Sequence, residues 1–221
     1  TYIKLRNLEL LNLILTSALS GSGQRFSKVG SGTLTLDFLS GSSTFGSIDA
    51  AGGNLAIVGT TVVNTGGIRV GVSPGSLSGV PGTQPGSGTL TIQDDASLTT
   101  SWVGIGENSS PPVSGLVGTV NQTGGTVTIT GSARFGHYPS ATGTYNLSGG
   151  MLSLTGTPTG VVNPAEVGER EGILYLGVDG TGHFVQTGGT ASAHGIVLDA
   201  RGESSGTESL TLNGGTFIVG P

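Results

Sequence analysis

The phrase VNQTGGTVTI fills residues 120–129, and it returns as YNLSGGMLSL at 145–154, FVQTGGTASA at 184–193 and LTLNGGTFIV at 210–219. A looser copy, VVNTGGIRVG, starts at Val62. Gly124 and Gly149 lie 25 residues apart, and Gly188 and Gly214 lie 26 apart. Self-similarity at such a period is the mark of stacked supersecondary units.

From Thr89 onward the copies divide into three short strands. Strand A reads TVNQTGG, TYNLSGG, HFVQTGG or SLTLNGG; strand B reads TVTITG, MLSLTG, TASAHG or TFIVG; strand C reads SARFG, ILYLG or GIVLDA. TLTIQDD, ASLTT and SWVGIG form a looser rung before them. Along strand B, Val127, Leu152, Ala191 and Phe217 share one column, and Ile129, Leu154, Ala193 and Val219 share the next. Along strand A, Val120, Tyr145, Phe184 and Leu210 align too. Alternate strand residues point to opposite sides, so each column faces a shared interior. Small Ala191 beside large Phe217 is the volume exchange of interdigitating rungs. Neither an antiparallel meander nor a Gly/Ser linker requires such columns.

The chain is therefore expected to be all-β, a single right-handed parallel β-helix with three sides, a β-solenoid of about eight rungs. Its hand follows the general preference of parallel crossovers. The Gly-Gly pair is expected at the A-to-B corner, with one or both glycines at positive φ. A phosphate-cradling loop would need a helix after it, and no helix-period segment follows any pair.

Composition agrees. Of 221 residues, 43 are Gly, only 10% are charged and none is Cys. The mean hydropathy of +0.17 supplies enough apolar surface for a packed core. A net charge of −5 with 8 Lys and Arg offers no basic stripe for nucleic acid. The apolar run at 8–20, after Lys4 and Arg6, superficially reads as a signal segment; Glu9, Asn7 and Asn12 interrupt it. It is also too short to span a bilayer, so no membrane insertion by this chain is expected.

The N-terminal region is the least regular, and two segments are expected: 1–30, a strand segment with a first irregular rung that can dock on a neighbour, and 31–221, the solenoid body. Here LTSALSGSG and FSKVGSGTLTL, within residues 13–36, resemble the autotransporter-associated β-strand repeat of bacterial surface proteins. Beyond that stretch the likeness is to Gly-rich bacterial β-helix repeats in general. The resemblance implies a passenger-like parallel β-helix outside the cell, on the bacterial surface.

Five insertions, at 73–88, 107–118, 137–143, 178–182 and 201–208, fall between strand C and the next strand A. They are expected to form a loop ridge along one edge, the usual contact region of a solenoid. One further insertion, 157–172, separates strands B and C.

Candidate chemistry is sparse. Pectin-cleaving β-helices carry Asn-Thr-Asp, Asp-Asp, Gly-His-Gly and Arg-Ile-Lys; here only Asn64-Thr65-Gly66, Asp94-Asp95 and Gly136-His137 echo them. Adjacent Asp94 and Asp95 point to opposite sides of a strand and suit a turn better than paired acid–base work. Glu166, Glu169 and Glu171, with Arg170, suggest a solvated loop more than a calcium site. His137, His183 and His194 lack ligand spacing. Gln122 and Gln186, in the same strand A position, are expected to bond corner backbone. Asn108, Asn121 and Asn146 begin Asn-x-Ser/Thr triplets, which matter only in a eukaryotic secretory setting. The aromatic residues Trp102, Phe135, Tyr138, Tyr145 and Phe184 make no outward row for sugar binding.

No catalytic, cofactor or metal residue is assigned. The leading expectation is a non-catalytic extracellular structural protein, a fibre or surface appendage built by homotypic end-to-end association. An adhesin passenger that binds a surface or glycan ligand through the loop ridge comes second, and a polysaccharide-degrading enzyme third.

Overall fold

The computed structural model describes residues 3–5, 12–73, 86–107, 115–158, 170–200 and 207–220. Those residues contain no helix, and all the strand pairings are parallel. Each rung has three sides. Face A is an eight-stranded sheet: β2 (Leu13–Leu15), β4 (Thr33–Leu36), β6 (Gly52–Ile57), β9 (Ser87–Ile92), β12 (Val117–Gln122), β15 (Thr142–Leu147), β18 (Thr181–Gln186) and β21 (Ser209–Leu212).

The other two faces share a 14-stranded sheet. Two nine-residue strands, β3 (Ser20–Lys28) and β5 (Ser42–Ala50), run through both faces and join them. Face B continues as β7 (Val62–Thr65), β10 (Ser97–Thr100), β13 (Thr126–Ile129), β16 (Met151–Leu154), β19 (Thr190–Ala193) and β22 (Thr216–Val219). Face C contains β1 (Ile3–Leu5), which pairs with β3, then β8 (Ile68–Val70), β11 (Val103–Ile105), β14 (Ala133–Phe135), β17 (Ile173–Leu176) and β20 (Gly195–Leu198). The chain is a parallel β-helix of eight rungs, as the columns predict.

Inside, the columns stack residue on residue. Leu34, Leu55, Leu90, Val120, Tyr145 and Phe184 are in register on face A, and all are buried. Face B adds Val63, Leu98, Val127, Leu152 and Ala191, and face C adds Ile48, Ile68, Val103, Ala133 and Leu174. These buried side chains belong to one core. Phe135, Tyr145, Phe184 and Phe217 run through it as an aromatic stack, with centroids 5.9, 5.7 and 5.5 Å apart in succession. The last pair meets edge to face, where Ala191 leaves room beside Phe217. Such contacts add to the hydrophobic term of about 25 cal/mol per Å² of buried apolar area.

At the A-to-B corner the second glycine of each pair has positive φ: 64° at Gly125, 77° at Gly150, 67° at Gly189 and 81° at Gly215. The first glycine answers a different constraint. A Cβ on Gly124 would stand 2.6 Å from the Asp94 carbonyl oxygen, and one on Gly149 would collide with that of Thr123. One glycine turns the chain while its neighbour lets the preceding rung approach.

The early copy VVNTGG departs from this scheme. Gly66 and Gly67 separate β7 from β8, so they form a B-to-C corner, and neither has positive φ. Gly67 is required because the Trp102 ring lies where its Cβ would project. The N-terminal region is also more regular than expected. Leu13, Leu34 and Leu55 are in register at a spacing of 21 residues. Strands β2 and β3 pair directly with β4 and β5 across residue 30. The five insertions fall between a face C strand and the next face A strand, but residues 87–88, 117–118, 142–143 and 181–182 already belong to β9, β12, β15 and β18; 157–172 lies between β16 and β17.

Candidate functional site

The three fragments that echo a polysaccharide-cleaving site are not brought together. Asn64 lies on β7 of face B, Asp94 and Asp95 form the A-to-B corner of the fourth rung, and His137 follows β14 on the C-to-A side. Asp94 takes φ 58°, and its Oδ2 accepts the Gly59 N–H at 3.0 Å. The Asp95 N–H donates to the Gly59 carbonyl at 3.0 Å. Both residues are corner pieces that bond to the preceding rung.

The two glutamines also serve the corner, and they are fully buried. Gln122 Nε2 donates to the carbonyls of Gly124 (3.1 Å), Gly125 (3.3 Å) and Met151 (3.0 Å), tying its own corner to the next rung. Its Oε1 accepts the Tyr145 hydroxyl at 2.6 Å. Burial pushes the Tyr145 phenol well above the usual tyrosine range, so it stays a donor. Gln186 repeats the donor side, to Gly189 (3.2 Å) and Thr216 (3.0 Å). Its Oε1 is buried without a hydrogen-bond partner, because Leu210 stands where Tyr145 stands for Gln122.

Face C carries what sequence reasoning missed. Its outward column runs Ser27, Asp49, Arg69, Gly104, Arg134, Tyr175 and Val197, in register from rung to rung. Asp49, with no exposed side-chain surface, accepts from Arg69 Nε at 2.7 Å and Ser27 Oγ at 3.2 Å, and Arg25 Nε stands 3.4 Å away. Two rungs on, Glu107 folds over Gly104, where a Cβ would collide with the carboxylate. Its Oε1 accepts from Arg134 Nη2 at 3.1 Å, and its Oε2 lies 3.8 Å from His137 Nδ1. The Arg134 guanidinium stands 5.5 Å from the Trp102 ring centre. The available signal was Arg69 in IRV and Arg134 in ARF, the same middle position of strand C.

Beside this column, a cleft of about 260 Å³ opens at the B-to-C corner, lined by Ser101, Trp102, Thr130, Gly131, Ser132 and Glu171. The lining supplies three hydroxyls, one carboxylate and an indole. Glu166 and Glu169 lie outside the described residues, as does Asn108. His183 Nδ1 is 2.8 Å from Ser209 Oγ on the outside of face A. There Asn146 Nδ2 also donates to Asn121 Oδ1 at 2.9 Å. Among the described residues no three His, Asp or Glu side chains gather as a metal site would require.

Lys28, the lysine of the FSKVGSGTLTL phrase, is fully buried. Its ammonium donates to the carbonyls of Val29 (3.1 Å), Gly30 (2.8 Å) and Gly52 (2.9 Å), clamping the C-to-A turn. Burial lowers its pKa from the ordinary 10.5.

Comparison with protein-family models, with curated proteins and with solved structures returns no match.

Proposed function

We propose that the chain is a non-catalytic, extracellular structural β-solenoid that assembles end to end into a fibre or surface appendage. The observation that carries this reading is the repeating rung itself. Successive rungs pair in parallel through the same interior columns, so a further rung of like sequence can add in the same register.

The outer faces point the same way. No Lys, Arg, Asp or Glu lies in the described strands of face A. Face B beyond β5 is equally free of charge, and its outward positions are mostly Ser, Thr and Asn. The resemblance of residues 13–36 to bacterial passenger repeats supports a place outside the cell.

Imaging of the purified chain over a wide concentration range tests the reading. Filaments that lengthen with concentration are expected; strictly monodisperse monomers throughout would overturn it. The Trp102 cleft favours the adhesin as second reading. Replacing loops 73–88 and 107–118 would then abolish surface binding and leave assembly intact.

A further inference from the structure

In the middle of the solenoid, the B-to-C corner of the fourth to sixth rungs is recessed, and backbone packing keeps it so. The Trp102 ring lies over Gly67 of the preceding rung, where any Cβ would run into it. On the following rung Gly131 carries no side chain, and a Cβ there would collide with the Ser101 carbonyl oxygen. The Val103 N–H donates to the Ser132 carbonyl at 3.1 Å, and the Gly172 N–H to that of Gly131 at 2.7 Å, so the three rungs are tied together around the gap. What remains is the cleft of about 260 Å³ lined by Trp102, Ser132 and Glu171 among others.

Polar groups in this cleft are left open to a ligand. Ser132 is only 3% exposed, yet its hydroxyl has no hydrogen-bond partner among the described residues and is not sealed from solvent. It therefore opens on the cleft that it lines. The Ser101 hydroxyl and the Trp102 indole N–H are likewise without a partner among the described residues. Glu171 is exposed and has no ion pair among them.

The charges choose the ligand. The Arg134 guanidinium, held by Glu107, stands 5.5 Å from the Trp102 ring centre, so an ammonium group at the ring would meet a like charge. An anion would meet the Glu171 carboxylate in the same way. A neutral ligand rich in hydroxyls suits both. A vicinal diol gives one O–H to each carboxylate oxygen, and serine and threonine hydroxyls both donate and accept. The indole adds an N–H donor and apolar surface for C–H groups. The volume is just under the roughly 300–1,000 Å³ of pockets for drug-sized ligands, which suits one small ring.

Resting on the second, adhesin reading and not on end-to-end assembly, we propose that the Trp102 cleft binds one neutral sugar ring of a surface glycan. Glu171 accepts two ring hydroxyls, Ser101 and Ser132 bond to others, and Trp102 donates its N–H.

The chain has one tryptophan, so its fluorescence reports on this cleft alone. Titration of the full chain with glucose, galactose, mannose and N-acetylglucosamine should give a saturable change for at least one sugar. Binding in the millimolar range is expected for a ligand of about a dozen heavy atoms. Glu171→Gln, on the surface, should weaken it by about tenfold or more at the parent's melting temperature, and Ser132→Ala by several-fold. A response that grows linearly with every sugar and with glycerol alike, or that both variants keep at full strength, would overturn the site. Tighter binding of methylamine than of any sugar would overturn the choice of a neutral ligand. Surface adhesion that loop replacement abolishes but Glu171→Gln leaves intact, with no sugar response, would sink the cleft and keep the adhesin reading.

Discussion

Tyr145→Phe isolates one hydrogen bond in the middle of the core. The hydroxyl meets Gln122 Oε1 at 2.6 Å, and both side chains are buried. Removing it leaves that oxygen as Gln186 Oε1 is now, buried and unpartnered. Leaving one buried acceptor unsatisfied costs about 1–3 kcal/mol. Because another corner tolerates this state, the lower half of that range, about 1–2 kcal/mol, is the expected loss. For a chain of this size that lowers the melting temperature by about 2–8 °C. Gln122→Leu should cost more, roughly 2–4 kcal/mol, since it also strips the donor from the Gly124, Gly125 and Met151 carbonyls. Leu and Ile already occupy this column at Leu147 and Ile92, so shape is not the obstacle. The double variant should fall short of additivity by about 1 kcal/mol in urea unfolding, because the two changes share a bond. A Tyr145→Phe variant as stable as the parent, with additive effects in the cycle, would refute the corner account.

The remaining expectations concern single positions. Leu210→Tyr places a hydroxyl where Gln186 Oε1 lacks a donor, so in dilute solution the urea midpoint should rise by the equivalent of about 0.5–1.5 kcal/mol; a fall would count against the equivalence of the two corners. Gly125→Ala forces a side chain to φ 64° and against the Ala96 carbonyl, with a loss of at least about 2 kcal/mol by denaturant unfolding. Lys28→Met leaves three turn carbonyls without their donor and should cost about 2–4 kcal/mol. The parent should also gain stability as pH rises toward 10.5, because the unfolded chain then holds more protons at this site than the folded one. That slope should be absent from Lys28→Met.

The solenoid was legible wherever one strand period and one turn marker coincided. From Val120 to Val219 the Gly-Gly pair stands at the same corner in each rung, so alignment on it brings the interior columns into view. Upstream the marker changes place. In β3 and β5 the B-to-C bend is made inside a continuous strand, where a Cβ on Gly46 would stand only 2.7 Å from the Gly23 carbonyl oxygen. No turn cluster announces it, and the 21-residue register of Leu13, Leu34 and Leu55 was hidden. The pair Gly66-Gly67 looked like the others but answers to the Trp102 ring. Gln122 and Gln186 were placed at the corner by their shared position, whereas the Tyr145 partner was not foreseen. The charge column of face C was illegible for a different reason. Asp49, Arg69, Glu107 and Arg134 come together only once the rung spacing upstream of Thr89 is known.

The central claim is a three-sided parallel solenoid that assembles along its own axis, and electron cryomicroscopy of assembled protein tests it most directly. Strands stacked at about 4.8 Å along the filament and perpendicular to its axis are predicted. Filaments whose strands do not stack along the axis, or particles that stay single at every concentration, would contradict it.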